Sequence, residues 1–112
     1  MKRFEPNLER IKRDILNLSE FASSTESGHT RISFSEEDRR AREHIALLME
    51  KEAKLKVRID AAGNLIGRRE GKRPNPAILV GSHADTVRGG GRFDGVSGVI
   101  AGLEVARIFD EK

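Results

Sequence analysis

The first apolar pattern along the chain has the three-and-four spacing of an amphipathic helix and covers residues 7–21. Asn7 can cap this helix, because its side chain can accept a hydrogen bond from a backbone N–H of the first turn. The same spacing predicts a second helix over residues 36–53, with Ser35 as its N-cap. The residues expected to face inwards are Leu8, Ile11, Ile15, Leu18, Ala41, Ile45, Leu48 and Met49. The charged residues of the first helix, expected in solvent, are Glu9, Arg10, Lys12, Arg13 and Asp14.

Residues 23–30, between the two helices, are polar and predict a loop. After the second helix the pattern changes to strict alternation, which predicts a half-buried strand. The apolar positions of this strand are Leu55, Val57 and Ile59. Residues 61–64 have the composition of a turn and lead to a returning strand at 65–68, so a β-hairpin is expected here.

A continuous apolar run over residues 77–81 is typical of a strand covered on both faces, and such strands belong mostly to parallel or mixed sheets. A glycine-rich loop at 88–92 follows, and a last helix is expected from Gly95 to about residue 110. Apolar residues occur on more than one side of this helix, so we expect it to be buried on several sides. The order of elements predicts an α/β fold with a partial mixed sheet and helices packed on it.

Composition excludes several classes of function. The chain has no cysteine, which excludes disulfides, thiolate nucleophiles and Cys-ligated zinc. Its 21 basic and 18 acidic residues are interspersed and it has no Trp or Tyr, so no nucleic-acid partner is expected. No run approaches the ~18 apolar residues of a membrane span, and no apolar signal segment follows Met1. We therefore expect a soluble cytoplasmic protein without a membrane partner.

The residues with the most chemical potential follow the apolar run. His83 lies just past the predicted strand, where open α/β sheets place their sites. Asp85 is two residues further on, so in extended backbone it points the same way as His83 and can orient the imidazole. Asp94 follows the glycine-rich loop, which allows its carboxylate to fold back towards His83 and bridge cations. The residue types alone are compatible with two interpretations: a metal site, or an ordinary hydrogen-bonded pair at the surface.

Further segments add a resemblance to a known family. The most specific are the Gly-Gly-Arg-Phe-Asp-Gly run at 90–95 and the Gly-Leu-Glu sequence at 102–104. The others include Thr30-Arg31, Ser35 to Arg39, Val57 to Asp60, Gly63 to Leu65, Gly67 to Gly71, Gly81 to His83 and Asp85 to Val87. With these, the run from Thr30 to Arg107 resembles the start of the hydantoinase/carbamoylase family of amidohydrolases, within the larger M20 metallopeptidase group.

The resemblance implies roles for individual residues. It implies that His83 is a terminal metal ligand and that Asp94 bridges two divalent ions, which could be Zn, Mn, Co or Ni. Asp85 corresponds to the catalytic residue that orients His83. The resemblance also implies a cis peptide bond between Asp94 and Gly95, which costs about 3–4 kcal/mol and persists only where the surroundings enforce it.

The resemblance also implies a fold and an activity. The fold is the amino-terminal part of an M20-type, phosphorylase/hydrolase-like catalytic domain. Residues 1–34 are its lead-in of helix and loop, and residues 35–112 carry the sheet, the helices and half of the metal site. The activity is hydrolysis of a C–N bond in a small amide or ureide, such as an N-carbamoyl amino acid or allantoate, by metal-activated water.

Part of the family site has no counterpart in the 112 residues. The family's general base, in a Glu-Glu pair, and two further histidine ligands are missing, and His29 and His44 do not match ligand positions and are expected at the surface. We therefore expect this chain alone to bind metal weakly, to be inactive, and to form a homo-oligomer or pair with a complementing chain. Two alternatives stay open: a truncated or split-gene subunit, and a non-catalytic α/β binding module.

Overall fold

The computed structural model describes residues 3–23 and 27–112, so residues 24–26 of the predicted polar loop lie outside the described ranges. Within these ranges the chain forms three helices and one two-stranded antiparallel sheet, and the predicted α/β fold class is confirmed. The elements are α1 (Leu8–Ser19), α2 (Glu36–Lys51), β1 (Lys56–Ile59), β2 (Leu65–Arg68) and α3 (Val96–Glu111). No helix among the described residues has the length and apolar character that crossing a bilayer requires.

Side-chain caps fix where the first two helices begin, as the sequence predicts. The side chain of Asn7 accepts a hydrogen bond from the backbone N–H of Arg10 at 3.0 Å, which starts α1. The hydroxyl of Ser35 accepts one from the N–H of Asp38 at 3.2 Å, which starts α2. In return, the Asp38 carboxylate accepts from the N–H of Phe34 at 3.0 Å, so both donors at this terminus are satisfied.

The predicted hairpin is confirmed, with Ile59 opposite Leu65 at its turn end. The Asp60 carboxylate holds the turn, because it accepts hydrogen bonds from the backbone N–H groups of Ala62 and Asn64 at 3.0 and 2.8 Å. The predicted inward position of Ile59 is wrong, since 64% of this residue is exposed. At this end of the hairpin it is Leu65, opposite Ile59, that packs against the core, and Arg42 of α2 donates a hydrogen bond to the carbonyl of Gly63 in the turn.

The core lies where the three helices meet. Its fully buried apolar members are Leu18, Ala41, Ile45, Ala53, Val96, Ile100 and Leu103. The helix α3 buries one broad side, while Val105 and Phe109 on the other side are 44% and 61% exposed. Burial of α3 on several sides, expected from its apolar composition, is therefore only partial within the described chain.

A buried ion pair joins α1 to α3. Arg107 Nη1 donates to Asp14 Oδ2 at 2.6 Å, and both side chains are 0% exposed. The prediction that Asp14 lies in solvent is therefore wrong, because a cation 93 positions away along the chain neutralises it inside the structure. On the same side of α1, Arg10 Nε donates to Glu104 Oε2 at 2.8 Å. Charged residues thus form part of the α1–α3 contact.

The predicted buried strand at 77–81 is wrong. No strand forms there within the described ranges, and Ile78 and Leu79 are 94% and 87% exposed. A Cβ added at Gly102 would lie 3.2 Å from Val80 Cγ1, which places Val80 against α3. One side of the run therefore lies over a helix, but no described strand pairs with it, and the only described sheet is the hairpin rather than a mixed sheet.

The salt bridge of Glu104 makes stability depend on pH. Burial raises the pKa of this carboxyl, but hydrogen bonds from Arg10 and from the N–H of Asn7 outweigh it and leave the pKa below its ordinary value of 4.5. Such a group stabilises the fold above its unfolded pKa and loses this contribution as pH falls through the folded pKa. We expect urea unfolding to show a decline in the free energy of unfolding below about pH 4.5. The decline should be smaller in Glu104→Gln, and equal to wild type in Glu50→Gln, which removes an exposed carboxylate. Equal declines in the wild type and Glu104→Gln would contradict this assignment.

Candidate metal centre

The segment before His83 lies close against the start of α3. Ser82 Oγ donates a hydrogen bond to the carbonyl of Gly95 at 2.8 Å. A Cβ added at Gly98, one turn further along α3, would lie only 2.6 Å from Ser82 Oγ. Glycine at this position therefore allows the backbone of the segment to approach the helix, which carries His83 to the amino-terminal end of α3.

Gly95 shapes the place that His83 occupies. It is the N-cap of α3 and has a φ of +72°, in the left-handed region that favours glycine. A Cβ added there would lie 2.5 Å from His83 Nδ1 and Cε1 and closer still to the His83 carbonyl oxygen. Both the backbone conformation and the available space therefore require glycine beside the imidazole.

The structure brings the three predicted site residues together. His83 Nε2 lies 3.4 Å from Asp94 Oδ1. On the other side of the ring, Nδ1 lies 3.0 Å from the backbone carbonyl oxygen of Asp85 and 3.3 Å from its carboxylate Oδ1. The imidazole therefore lies between two aspartates, as the spacing in the sequence suggests. The site is open, with side-chain exposures of 54% for His83 and 75% for Asp94.

The tautomer of His83 decides what lies between its ring and Asp94. If Nδ1 carries the proton and donates to the carbonyl of Asp85, Nε2 presents a lone pair to the Asp94 carboxylate. A lone pair and an anionic oxygen 3.4 Å apart repel each other unless a cation, either a proton or a metal ion, joins them. The arrangement is thus suited to binding a cation.

The spacing of the two atoms also fits a shared metal ion. Two ligands at about 2.0–2.1 Å from a tetrahedral zinc ion lie about 3.3–3.4 Å from each other. The observed separation of 3.4 Å between His83 Nε2 and Asp94 Oδ1 agrees with that geometry. Across the described residues, however, no group of three or more His, Asp or Glu side chains is placed to hold a metal ion. His83 and Asp94 therefore fit as part of a metal site and not as a complete one.

The expected cis peptide bond between Asp94 and Gly95 is wrong. No peptide bond within the described ranges is cis. A non-proline cis bond needs enforcing surroundings, and Asp94 is largely exposed in this chain. The turn into α3 is made instead by the positive φ of Gly95.

The two other histidines differ from the surface residues that the sequence predicts, since both are half-buried. The backbone N–H of His29 donates to the carbonyl of Gly90 at 2.9 Å, and its Nε2 lies 3.2 Å from Arg92 Nη2. The ring of His44 packs on Phe21 with centroids 5.5 Å apart. Neither joins His83 and Asp94, as expected.

Arg31 is a residue near the site that sequence reasoning missed. It is 3% exposed, and its Nε donates to the carbonyl of Ala84, between His83 and Asp85, at 2.8 Å. The only signal for it in the sequence was the Thr30-Arg31 segment of the resemblance, which indicated no role.

Comparisons with known proteins identify relatives that span most of this chain. The sequence profile of peptidase family M28 matches residues 64–112. An N-carbamoyl-L-amino-acid amidohydrolase of Paenarthrobacter aurescens is 52% identical over 104 residues, which is 92% of this chain and 25% of the relative. An allantoate amidohydrolase of Bacillus subtilis is 36% identical over 77% of this chain and 21% of its own length. A solved hydantoinase/carbamoylase family amidase of Burkholderia ambifaria has a TM-score of 0.89 and 38% identity, over 98% of this chain and 27% of that one.

The chain thus spans about a quarter of the length of the curated relatives it matches. The match runs through both the His83 segment and the start of α3, because it covers nearly all of the chain. The more distant M20 grouping stays a prediction, since the matching family profile is that of M28.

Proposed function

Because this chain belongs to the hydantoinase/carbamoylase family, of whose proteins it spans about a quarter, we propose that it carries half of a two-metal amidohydrolase centre. His83 and Asp94 are the proposed ligands, and Asp85 orients the imidazole. The observation that carries the proposal is the 3.4 Å separation of His83 Nε2 and Asp94 Oδ1, with the other ring nitrogen directed at Asp85.

The proposed reaction is hydrolysis of a C–N bond in an N-carbamoyl amino acid or a ureide. Support comes from relatives named as amidohydrolases of N-carbamoyl-L-amino acids and of allantoate. When bound, two divalent ions such as zinc or manganese would supply an activated water and stabilise negative charge on the substrate oxygen. The chain's own residues have simpler tasks: His83 offers a neutral nitrogen, Asp94 offers two anionic oxygens, and Asp85 holds the ring in one tautomer.

We propose that the chain alone does not complete this reaction. A catalytic zinc ion typically has three protein ligands and an open position, whereas one histidine and one bridging carboxylate are placed here for two ions. The one further carboxylate described beside these ligands, that of Asp85, lies 3.3 Å from His83 Nδ1, where it orients the ring and faces away from the shared ion. The proposed partner is a complementing chain or a second copy, and the exposed apolar side chains of Ile78 and Leu79 support such an association.

A metal titration tests the proposal. We expect Mn²⁺ to bind weakly and to broaden the NMR signals of His83 and Asp94 selectively, because these residues supply the ligands. The variants His83→Ala and Asp94→Asn should abolish the effect, while His44→Ala should leave it intact, since His44 lies away from the site. Broadening that persists in both ligand variants would refute the assignment. Calorimetric binding of two ions per chain with sub-micromolar affinity would refute the half-site.

A further inference from the structure

Arg31 is an arginine with unusually complete burial. Only 3% of the residue is exposed, and the described acceptors of its guanidinium are backbone carbonyl oxygens. Its Nη1 donates to the carbonyls of Leu18 and Phe21 at 2.8 and 2.7 Å, and its Nε donates to the carbonyl of Ala84 at 2.8 Å. Burying a cation is costly unless its donors are used, so these three bonds define what the residue does in the fold.

The bonds of Arg31 link two parts of the molecule that are far apart in sequence. Leu18 lies in the last turn of α1, where helix carbonyls lack intrahelical partners and a cation is favourable, and Phe21 lies two residues past the end of the helix. Ala84 lies between His83 and Asp85. The guanidinium therefore ties the end of α1 to the backbone that carries the two site residues.

The backbone of Arg31 forms two further hydrogen bonds to the same segment, at Thr86. The N–H of Thr86 donates to the carbonyl of Arg31 at 2.7 Å, and the N–H of Arg31 donates to Thr86 Oγ1 at 2.8 Å. Residues on both sides of Asp85 are thus bound to one buried residue. Because the Asp85 carbonyl in turn faces His83 Nδ1, this clamp fixes the partner that orients the imidazole.

From this geometry we propose that Arg31 is a positioning residue of the metal centre: its Nε–H holds the Ala84 carbonyl and so keeps the His83–Asp85 turn in the conformation that directs His83 Nε2 at Asp94. The inference rests on the proposed function only where it identifies the site as a metal centre. The positioning of His83 is a separate statement about the chain itself, and it can be measured with no ion present.

The competing role is purely structural, with Arg31 serving only as a cap for α1. The two roles use different atoms, since Nη1 reaches α1 and Nε reaches the site. A lysine keeps the charge, but its single nitrogen cannot reproduce the rigid fork of a guanidinium that reaches carbonyls in two directions. Arg31→Lys therefore separates the two roles, because it can keep the cap while it loses the hold on Ala84.

The test is NMR spectroscopy of the full chain without metal and then with Mn²⁺. In Arg31→Lys we expect the signals of α2 and the hairpin to stay unchanged, those of His83 and Asp85 to shift, and amide exchange of Thr86 to accelerate. The affinity for Mn²⁺, read from broadening at His83, should fall about 10-fold or more, as is usual when the residue that orients a ligand is lost. The matched control is Arg107→Lys, another fully buried arginine, which should lower stability to urea and leave the His83 signals in place.

Each result decides between the proposals. A folded Arg31→Lys with wild-type His83 signals and Mn²⁺ affinity would overturn the positioning role, while the metal proposal would stand. Shifted His83 and Asp85 signals in a protein whose wild type shows no Mn²⁺ effect would refute the metal proposal and keep the positioning role. Should the lysine variant fail to fold, the positioning role is tested on the wild type by measuring hydrogen exchange of the Arg31 side chain. The proposal requires the Nε–H of Arg31 to be protected from solvent exchange. Rapid exchange of that proton would overturn it.

Discussion

Replacement of Arg107 by methionine is expected to lower the free energy of unfolding by about 3–5 kcal/mol, the usual cost of breaking a buried ion pair. Methionine keeps an unbranched apolar side chain but is shorter than arginine, so the variant removes the guanidinium and its charge. Arg107 Nη1 is bonded to Asp14 at 2.6 Å and lies 3.6 Å from Glu104, and Nη2 forms an ion pair with Glu52. Removal of this cation leaves three carboxylates facing one another, of which two are almost fully buried.

The matched control is Arg13→Met. Arg13 binds two of the same carboxylates, Asp14 at 2.8 Å and Glu52 at 3.0 Å, but its side chain is 45% exposed. Half-exposed pairs are screened by solvent and contribute about 1 kcal/mol or less. Urea unfolding followed by circular dichroism measures both variants. An equal decrease in the free energy of unfolding in the two variants would show that the buried Arg107–Asp14 pair stabilises the fold no more than the half-exposed pairs of Arg13.

The buried ion pair also shows where sequence reasoning ends. Asp14 is expected in solvent because it is charged, and its neighbour Arg13, which binds it at 2.8 Å, gives no sign that the carboxylate is buried. Its buried partner is Arg107, from the last helix. Periodicity describes which face of a helix is apolar, but it cannot predict that a polar position will meet an opposite charge from a distant element.

Elements specified by local interactions were predicted well. The caps at Asn7 and Ser35 and the turn held by Asp60 each depend on residues within four positions along the chain, and all three form as expected or in the expected place. The apolar run at 77–81 was misjudged, because an apolar run predicts burial only if other strands are present to cover it. Within the described chain Ile78 and Leu79 have no such cover.

The sequence predicted which residues form the site but not which residue holds their backbone in place. The approach of His83 to Asp94 was expected from the end of a strand, a two-residue spacing and a flexible loop, and it occurs although the strand at 77–81 does not form. The contribution of Arg31 could not be inferred, because the three carbonyls it binds come from different parts of the chain. Every residue has a backbone carbonyl, so the residue types of the acceptors do not indicate which carbonyls an arginine binds. Supporting residues of this kind are therefore identified only from the three-dimensional structure.

Gly95→Ala is expected to disrupt the site more than any other substitution that leaves its polar groups unchanged. Two effects combine at this position. The backbone conformation of Gly95, with φ +72° and ψ −46°, costs a residue with a Cβ about 1–3 kcal/mol, and the new methyl group would lie 2.5 Å from the His83 ring. The imidazole must therefore move away, and the approach of His83 to Asp94 should be lost.

Gly63→Ala separates these two effects. Gly63 has a φ of +87°, also in the left-handed region, but a Cβ added there meets nothing within 4 Å. Both variants should thus lose about 1–3 kcal/mol of stability through backbone strain, and only Gly95→Ala should lose the nuclear Overhauser contact between His83 and Asp94 and the selective Mn²⁺ broadening. Were Gly95→Ala to keep that contact and the broadening, the geometry that places His83 beside Asp94 could not depend on the absence of a side chain at Gly95.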